Sequence, residues 1–162
     1  MISDTKVVAI GGGTGLSTML KGLKLHTHNI TAVVTVADDG GSSGILRSDL
    51  GMLAPGDVRN CVSALAEVDP VMGELLNFRF KDGSLKGHSL GNLFLAALNE
   101  TSSSFDEAVK KFSHLTGVVG TVYPVTNESV TLSALLEDGR LIEGESHIGV
   151  HHDGPKNGIV KL

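Results

Sequence analysis

The chain has 162 residues, of which 41% are hydrophobic and 19% are charged, and its formal net charge is −5. This length is enough for one domain with its own hydrophobic core. The negative charge and the lack of a long basic run argue against nucleic-acid binding. No apolar stretch approaches the roughly 18 residues of a membrane span, and no signal peptide is visible, so we expect a cytoplasmic protein. The single cysteine, Cys61, cannot form an internal disulfide and is expected to be a buried small hydrophobe.

A glycine-rich turn follows the first apolar run, residues 7–10. It contains Gly11, Gly12, Gly13, Thr14 and Gly15, and a helical stripe of Leu16, Met19, Leu20 and Leu23 comes directly after it. Glycines allow close approach of the backbone to a ligand, and the free N–H groups of a helix start attract an anion, usually phosphate. The turn is not a Walker A loop, and it departs from G-x-G-x-x-G at Thr18. A purely structural connection between strand and helix is the alternative.

A second apolar run, residues 30–36, leads into two adjacent carboxylates. Its β-branched composition predicts a parallel strand buried on both faces. Ligands of doubly wound sheets lie at the carboxyl ends of the strands, where an acid about 20 residues after the glycines often holds a ribose hydroxyl. Asp38 comes 23 residues after Gly15, with Asp39, Ser42 and Ser43 close behind. The two carboxylates could instead hold Mg²⁺ or form a solvated acidic turn.

Helical patterns dominate the chain up to about residue 116. Their apolar stripes comprise Val58, Cys61, Val62 and Leu65; residues 71–78; Leu90, Leu93, Phe94 and Ala97; and Phe105, Ala108, Val109 and Phe112. Ser104 and Glu107 have the spacing of a capping box.

Strand patterns follow Gly117. Residues 118–126, 129–137 and 140–148 are each predicted as strands, and Asp138-Gly139 between the last two favours a hairpin. Residues 159–162 begin another apolar run. We therefore expect an α/β domain over 1–162, with a helix-rich part, 1–116, and a hairpin-rich part, 117–162.

Three further groups of polar residues are candidates for chemistry. Asp57, Arg59 and Asn60 follow a Pro-Gly turn, and Arg59 could bind a phosphate or form a surface salt bridge. At the glycine-bearing start of a later helix lie His88, Ser89, Gly91 and Asn92, where the imidazole is either an acid–base group or structural. A third group, His147, His151, His152 and Asp153, reads more simply as an exposed loop than as a metal site.

Three segments carry a family resemblance: AIGGGTGLSTMLKGLK, TVADDGGSSGILRSDLGMLAPGDVRNCVSALA and GHSLGNLFLAAL. Together they resemble the bacterial gluconeogenesis factors, which are related to the 2-phospho-L-lactate transferases of deazaflavin-cofactor synthesis. The resemblance implies a Rossmann-like, three-layer α/β fold with a mainly parallel sheet and a nucleotide at its carboxyl edge. For the gluconeogenesis factors the implied ligand is a UDP-sugar such as UDP-N-acetylglucosamine, with roles in gluconeogenic growth and cell shape. For the transferases it implies Mg²⁺-dependent transfer of a phospholactyl group from a guanosine diphosphate donor to a deazaflavin hydroxyl.

Carried over residue by residue, the resemblance implies a nucleotide site and assigns no catalytic residue. The site comprises Gly11, Gly12, Gly13, Thr14, Gly15, Asp38, Asp39, Ser42, Ser43, Asp57, Arg59, Asn60, His88, Ser89, Gly91 and Asn92. Asp38 and Asp39 would hold Mg²⁺ only in the transferase alternative, and an NAD-dependent oxidoreductase is a more distant third. Family members are about twice this length, so the chain resembles an N-terminal portion of the fold. The resemblance also implies a homo-oligomer.

Overall fold

The computed structural model describes residues 3–149 and 158–162. Within them, strands and helices alternate first and an antiparallel unit follows. The strands are β1 Val7–Gly11, β2 Ile30–Val34, β3 Thr121–Pro124, β4 Ser133–Leu136, β5 Leu141–Glu143 and β6 Ile159–Lys161. The helices are α1 Gly13–Leu23, α2 Gly41–Leu50, α3 Gly56–Leu65, α4 Pro70–Asn77, α5 Leu90–Glu100, α6 Phe105–Leu115 and α7 Glu145–Gly149.

The first three strands form a parallel sheet in the order β1-β2-β3. One face of this sheet is buried: Ala32 and Val34 of β2 and Val122 of β3 are almost inaccessible to solvent. This face packs against apolar side chains of the helices, including Leu20 of α1 and Phe112 of α6. The expected strand over 118–126 is thus shortened to β3 and belongs to the parallel sheet.

The other face of the sheet is open, which corrects the expectation that residues 30–36 form a strand buried on both sides. Val8 is 65% exposed and Ile10 is 75% exposed. Their neighbours across the sheet include Val33, which is half-buried, and Tyr123, which is exposed. The described helices cover only one face of the sheet. The side chains of β2 are therefore less buried than their apolar composition predicted.

The predicted hairpin at Asp138-Gly139 is present as the antiparallel pair β4 and β5, and β6 pairs with the other edge of β4. The expected strand over 140–148 is wrong beyond Glu143, because the chain turns at Gly144 (φ +95°) and enters α7. The N–H of Ser146, in the first turn of α7, donates to Asp39 at 2.8 Å. This contact favours a helical turn where the sequence pattern favoured a strand. The strand predicted over 129–137 contracts to β4.

The predicted helical stripes correspond to α1, α3, α4, α5 and α6, whereas α2 was not predicted. Ser104 caps α6 by accepting the N–H of Glu107 at 3.2 Å, and Glu107 accepts the N–H of Ser103, one residue earlier than a standard capping box. Cys61 is fully buried as expected, and burial raises the pKa of its thiol to about 12. None of the helices in the described part of the chain is long and apolar enough to cross a membrane.

The open sheet face generates a prediction about the isolated chain. Because Val8 and Ile10 leave apolar surface in water, we expect self-association or marginal stability. Calibrated gel filtration and thermal melting measure both properties. A sharp monomer peak together with cooperative melting well above about 45 °C, roughly the low end for mesophile domains, would contradict this expectation.

Candidate functional site

The glycine turn after β1 contacts a carboxylate of the same chain. Gly12 precedes α1, and a Cβ there would lie 2.1 Å from Thr35 Oγ1 and 2.7 Å from Asp57 Oδ2, so only glycine fits. Asp57 accepts a hydrogen bond from the N–H of Gly13, and the Thr35 hydroxyl donates to Asp57 Oδ2 at 3.3 Å. The start of α1, where the sequence predicted a phosphate, therefore holds the Asp57 carboxylate.

The environment of Asp57 disfavours its charge. Burial raises the pKa of Asp57; the N–H of Gly13 acts in the opposite direction, and the nearby negative charge of Asp38 raises the pKa further. Thr35 and Arg59 lower it by smaller amounts, and the net result is a pKa above the ordinary value of 3.8. The carboxylate is thus held in place by hydrogen bonds at the expense of its hydration.

A pocket of about 230 Å³ opens beside Asp57, at the carboxyl ends of the parallel strands. Its walls combine the starts of α2 and α3 with two arginines. The lining residues are Asp38, Gly40, Gly41, Ser42, Ser43, Gly56, Asp57, Arg59, Asn60, Arg79 and Asn92. The first N–H groups of a helix lack partners within the helix, so the start of α2 offers donors to this space.

Arg59 is the buried cation of this pocket, with only 7% of its surface exposed. Its Nε donates to Asn92 Oδ1 at 3.2 Å and its Nη1 donates to Asn77 Oδ1 at 2.9 Å. Among the described residues it forms no salt bridge, and Nη2 has no hydrogen bond. Burial lowers the pKa of Arg59, and the neighbouring positive charge of Arg79 lowers it further, while Asp57 acts in the opposite direction. A guanidinium fixed by neutral amides is well suited to an external anion.

A buried chain of polar side chains continues from Asn92 away from Arg59. Asn92 Nδ2 donates to Ser42 Oγ at 3.1 Å, and Ser42 Oγ lies 2.9 Å from His88 Nδ1. Ser89 caps α5 by accepting the N–H of Asn92 at 3.2 Å. Each of these side chains is at least nine-tenths buried. His88 therefore fixes Ser42 and is placed behind the wall of the pocket, which suits a structural role.

The structure brings about half of the predicted site residues to one pocket. Those that line it are Asp38, Ser42, Ser43, Asp57, Arg59, Asn60 and Asn92. Gly11, Gly12, Gly13, Thr14, Gly15, His88, Ser89 and Gly91 do not line it. Gly12 and Gly13 do not line the pocket but lie beside Asp57, which does. Gly91 provides room for Arg59, because a Cβ at residue 91 would lie 2.9 Å from Arg59 Cδ.

The two adjacent carboxylates diverge. Asp38 Oδ1 accepts the N–H of Gly40 at 2.9 Å and the residue lines the pocket. Although burial acts in the opposite direction, the N–H and hydroxyl of Ser146 hold the pKa of Asp39 below its ordinary value. Asp39 thus anchors α7 and lies outside the pocket lining. Among residues 3–149 and 158–162, no cluster of three or more His, Cys, Asp or Glu side chains could hold a metal ion. His151, His152 and Asp153 lie outside the described residues.

Four contributors to this region were missed from the sequence. Arg79 lines the pocket and donates to the Gly87 carbonyl, Asn77 holds Arg59, and Thr35 holds Asp57. Glu145, at the start of α7, faces the same acidic environment: burial, then Asp38, Asp57 and Asp39, raises its pKa. None of the four lies in a glycine-rich motif, although Thr35 directly follows an apolar strand, as residues of such sites do.

The fold and the pocket define a class: an α/β protein with a polar, anion-compatible site at the carboxyl ends of parallel strands. The family model of 2-phospho-L-lactate transferase CofD matches residues 7–161, and the chain belongs to this family. Similar proteins include a gluconeogenesis-factor homologue of Thermoanaerobacterium thermosulfurigenes, 63% identical over 147 residues, which cover 91% of this chain and 46% of that protein. The gluconeogenesis factor of Bacillus subtilis is 51% identical over 144 residues, covering 88% of this chain and 45% of its relative.

A solved structure supports the fold. The crystal structure of a UPF0052 family protein from Bacillus halodurans superposes with a TM-score of 0.89 and is 45% identical in sequence. The match covers 97% of this chain and 50% of that protein. The chain thus spans about half the length of these relatives, and the predicted relation to the gluconeogenesis factors is confirmed.

The raised pKa of Asp57 generates a prediction about stability and pH. A group with a pKa raised by folding destabilises the native state as the pH rises through that pKa. Asp57→Asn removes this effect while keeping an oxygen for the N–H of Gly13. The melting temperature of the variant, measured relative to the unaltered chain, should therefore be higher at about pH 7 than at about pH 4.

Asp49→Asn is the matched control, because Asp49 is exposed on α2 and lies outside the pocket. Its melting temperature relative to the unaltered chain should be the same at both pH values. If the relative melting temperature of Asp57→Asn changes with pH no more than that of Asp49→Asn, ionisation of Asp57 does not destabilise the fold and the prediction is wrong.

Proposed function

We propose that this chain binds a phosphate-bearing nucleotide of the UDP-sugar class and acts as a regulatory protein. The observation that carries the proposal is the buried guanidinium of Arg59, which faces the pocket with neutral hydrogen-bond partners and without an ion-pair partner among the described residues. The start of α2 and the exposed Arg79 add further donors and charge beside it. A diphosphate matches this combination of a helix N-terminus and two guanidinium groups.

Neutral polar groups in the same pocket suit the rest of such a ligand. Asn60 offers an amide group, and Ser43 offers a hydroxyl. Asp38 accepts hydrogen bonds and could hold a ribose or sugar hydroxyl. Ser42 lines the pocket and lies 2.9 Å from His88 Nδ1, but its hydroxyl is buried and also accepts a hydrogen bond from Asn92, which suits a structural role. These features favour binding over catalysis.

The biological setting is part of the proposal. Relatives named as gluconeogenesis factors suggest a role in growth on gluconeogenic carbon sources, and we extend this to cell shape, a cytoplasmic location and a homo-oligomeric state. Since the chain spans about half the length of those relatives, its affinity for the ligand should be weak.

A Mg²⁺-dependent transferase that moves a phospholactyl-type group from a nucleoside diphosphate is the second candidate. The matching family model is named for such a transferase. In addition, negative charge lies near the pocket at Asp38, Asp57 and Glu145. Asp38 would contribute to holding the metal, whereas Asp39 is occupied by Ser146 and could do so only after losing that contact.

Calorimetric titration separates these functions. The chain is titrated with UDP-N-acetylglucosamine, GDP and NAD, each with and without Mg²⁺. Uridine-selective binding that ignores Mg²⁺ supports the regulatory proposal, and Mg²⁺-dependent binding of GDP supports the transferase. Binding of NAD in preference to both would contradict the two candidates together.

The two arginines of the pocket generate a prediction for this titration. Arg79→Ala removes an exposed cation, and Arg59→Lys keeps the charge but loses the planar guanidinium. Hydrogen bonds to charged groups contribute about 1.5–3 kcal/mol, so each variant should weaken UDP-N-acetylglucosamine binding by about tenfold to a hundredfold.

Lys86→Ala is the charge-matched control, because Lys86 is an exposed cation a few residues from Arg79 and does not line the pocket. Its affinity should stay within about twofold of the unaltered chain. If Arg79→Ala and Arg59→Lys bind as tightly as this control, the pocket does not hold the phosphates.

The divergence of Asp38 and Asp39 generates a prediction for the transferase candidate. In a full-length homologue with the matching residues, Asp38→Asn should abolish Mg²⁺-dependent turnover. Asp39→Asn should reduce turnover only to the extent that the substitution loosens α7. Intact turnover in both variants excludes these carboxylates as metal ligands.

A further inference from the structure

Helix α4 leaves an apolar face in water. Of its residues only Leu76 is buried, whereas Val71 is 63% exposed and Met72 and Leu75 are about half exposed. Val71 and Leu75 are four residues apart and therefore lie on one face of the helix, with Met72 beside them. The apolar face of a surface helix normally packs against the core, so the exposure of this face is unusual.

The folded chain cannot turn this face inward. Leu76 fixes one side of α4 in the core, and Asn77 Oδ1 accepts a hydrogen bond from Arg59 Nη1 at 2.9 Å. A rotation of α4 that buried Val71 would expose Leu76 and break the contact between Asn77 and Arg59. The same contacts that position Arg59 for the anion pocket therefore keep the apolar face of α4 in solvent.

Neighbouring elements extend this face. Phe94 of α5, Leu115 at the end of α6 and Phe78, which follows α4, are each more than one-third exposed. The carbonyl of Phe78 accepts the N–H of Leu90 at 2.9 Å, so the chain after α4 stays beside the start of α5. The resulting surface, the α4 patch, comprises Val71, Met72, Leu75, Phe78, Phe94 and Leu115.

A cavity of about 320 Å³ opens within the α4 patch. Its walls come from α4, α5 and the end of α6, and they are apolar except for Thr116. The hydroxyl of Thr116 donates to the carbonyl of Phe112 at 2.8 Å, so this hydroxyl does not need a polar ligand. The cavity therefore suits an apolar occupant.

The size of the α4 patch matches the apolar part of a dimer interface. Its side chains are about half exposed, and from typical side-chain areas they leave on the order of 500 Å² in water. A standard interface buries about 800 Å² on each partner, and about 65% of a homodimer interface is apolar. The patch is large enough to supply this apolar share.

Charges at the two ends of α4 favour an antiparallel contact between two copies. Glu67 and Asp69 precede the helix, Lys81 follows it, and all three are exposed. When two α4 helices cross antiparallel about a two-fold axis, the start of each helix approaches the end of the other. Asp69 of one copy then approaches Lys81 of the second copy, so opposite charges meet at both ends of the contact.

We propose that the α4 patch is the contact surface between two copies of this chain. In a two-fold pair each copy supplies both a protruding side chain, Val71, and a cavity that receives it. A small apolar ligand fits less well, because it would fill the cavity and leave Val71 and Phe78 in water. The proposal rests on the homo-oligomeric state proposed above and does not depend on which nucleotide the pocket binds.

Analytical ultracentrifugation of the 162-residue chain over a range of concentrations tests this contact. Leu75→Lys places a charge in the middle of the α4 patch. Ile45→Lys is the matched control, because Ile45 is 45% exposed on α2 and Leu75 is 46% exposed on α4. Val8→Lys places the same charge on the open face of the parallel sheet.

We expect a dimer whose dissociation constant Leu75→Lys raises at least about tenfold, because an interface residue near the centre would become an unpaired charge. Ile45→Lys should change the constant by no more than about twofold. A monomeric chain would overturn this proposal together with the homo-oligomeric state. A dimer that Leu75→Lys leaves intact would overturn this proposal alone, and Val8→Lys then shows whether the open sheet face forms the contact.

Cysteine cross-linking keeps the test decisive if Leu75→Lys impairs folding. Residue 75 lies near the middle of α4, so two copies of Leu75→Cys should form a disulfide-linked dimer when diamide oxidises the two thiols. Cys61 does not interfere, because it is fully buried and the pKa of its thiol is about 12. Ile45→Cys should stay monomeric on non-reducing gels. Equal cross-linking of the two variants, or none in Leu75→Cys, would contradict the proposed contact.

Discussion

The candidate site depends on the way that Arg59 is held. A buried guanidinium retains its charge, and the surrounding structure must replace the water that it has lost. Here Asn92 and Asn77 provide two oxygen atoms, and α5 approaches closely enough because residue 91 is glycine. These neutral amides accept hydrogen bonds from two N–H groups of the guanidinium and leave its positive charge uncompensated. On the side of the pocket, the guanidinium therefore still favours a negatively charged partner. The nearby positive charge of Arg79 strengthens this preference for an anion.

Asp57 carries the opposite charge to Arg59, and it occupies the start of α1, a helix N-terminus that would otherwise attract an anion. Its carboxylate joins the turn before α1, through Gly13, to the end of β2, through Thr35. An external phosphate would compete with this carboxylate for the same N–H group and would be repelled by it. A phosphate bound in this pocket would therefore lie at the starts of α2 and α3 and not at the glycine turn after β1. Two glycine-rich segments of similar composition thus differ in their roles, because one contacts an acid of the chain and the other lines the open pocket.

Local patterns in the sequence predicted most of the helices and most of the residues that line the candidate pocket, and long-range contacts decided the rest. The stripe of Val58, Cys61, Val62 and Leu65 was sufficient for α3, because every one of these residues faces the core. The composition around Gly41 resembled a loop, so α2 was missed. Asn77 could not be predicted, because it meets Arg59 only through the packing of α4 beside α5. The extra turn of α7 depends on Asp39, which lies 107 residues earlier in the chain.

The direction of the parallel strands decides where the pocket lies. Parallel strands all end at the same edge, so residues that follow β1 and β2 converge there, as Gly12, Thr35 and Asp57 do. The walls of the pocket come from the starts of α2 and α3, and Asp57 of α3 lies close to the residues that follow β1 and β2. The position of the pocket therefore follows from the parallel direction of β1 and β2, and the buried guanidinium of Arg59 gives the pocket a charge that suits an anion.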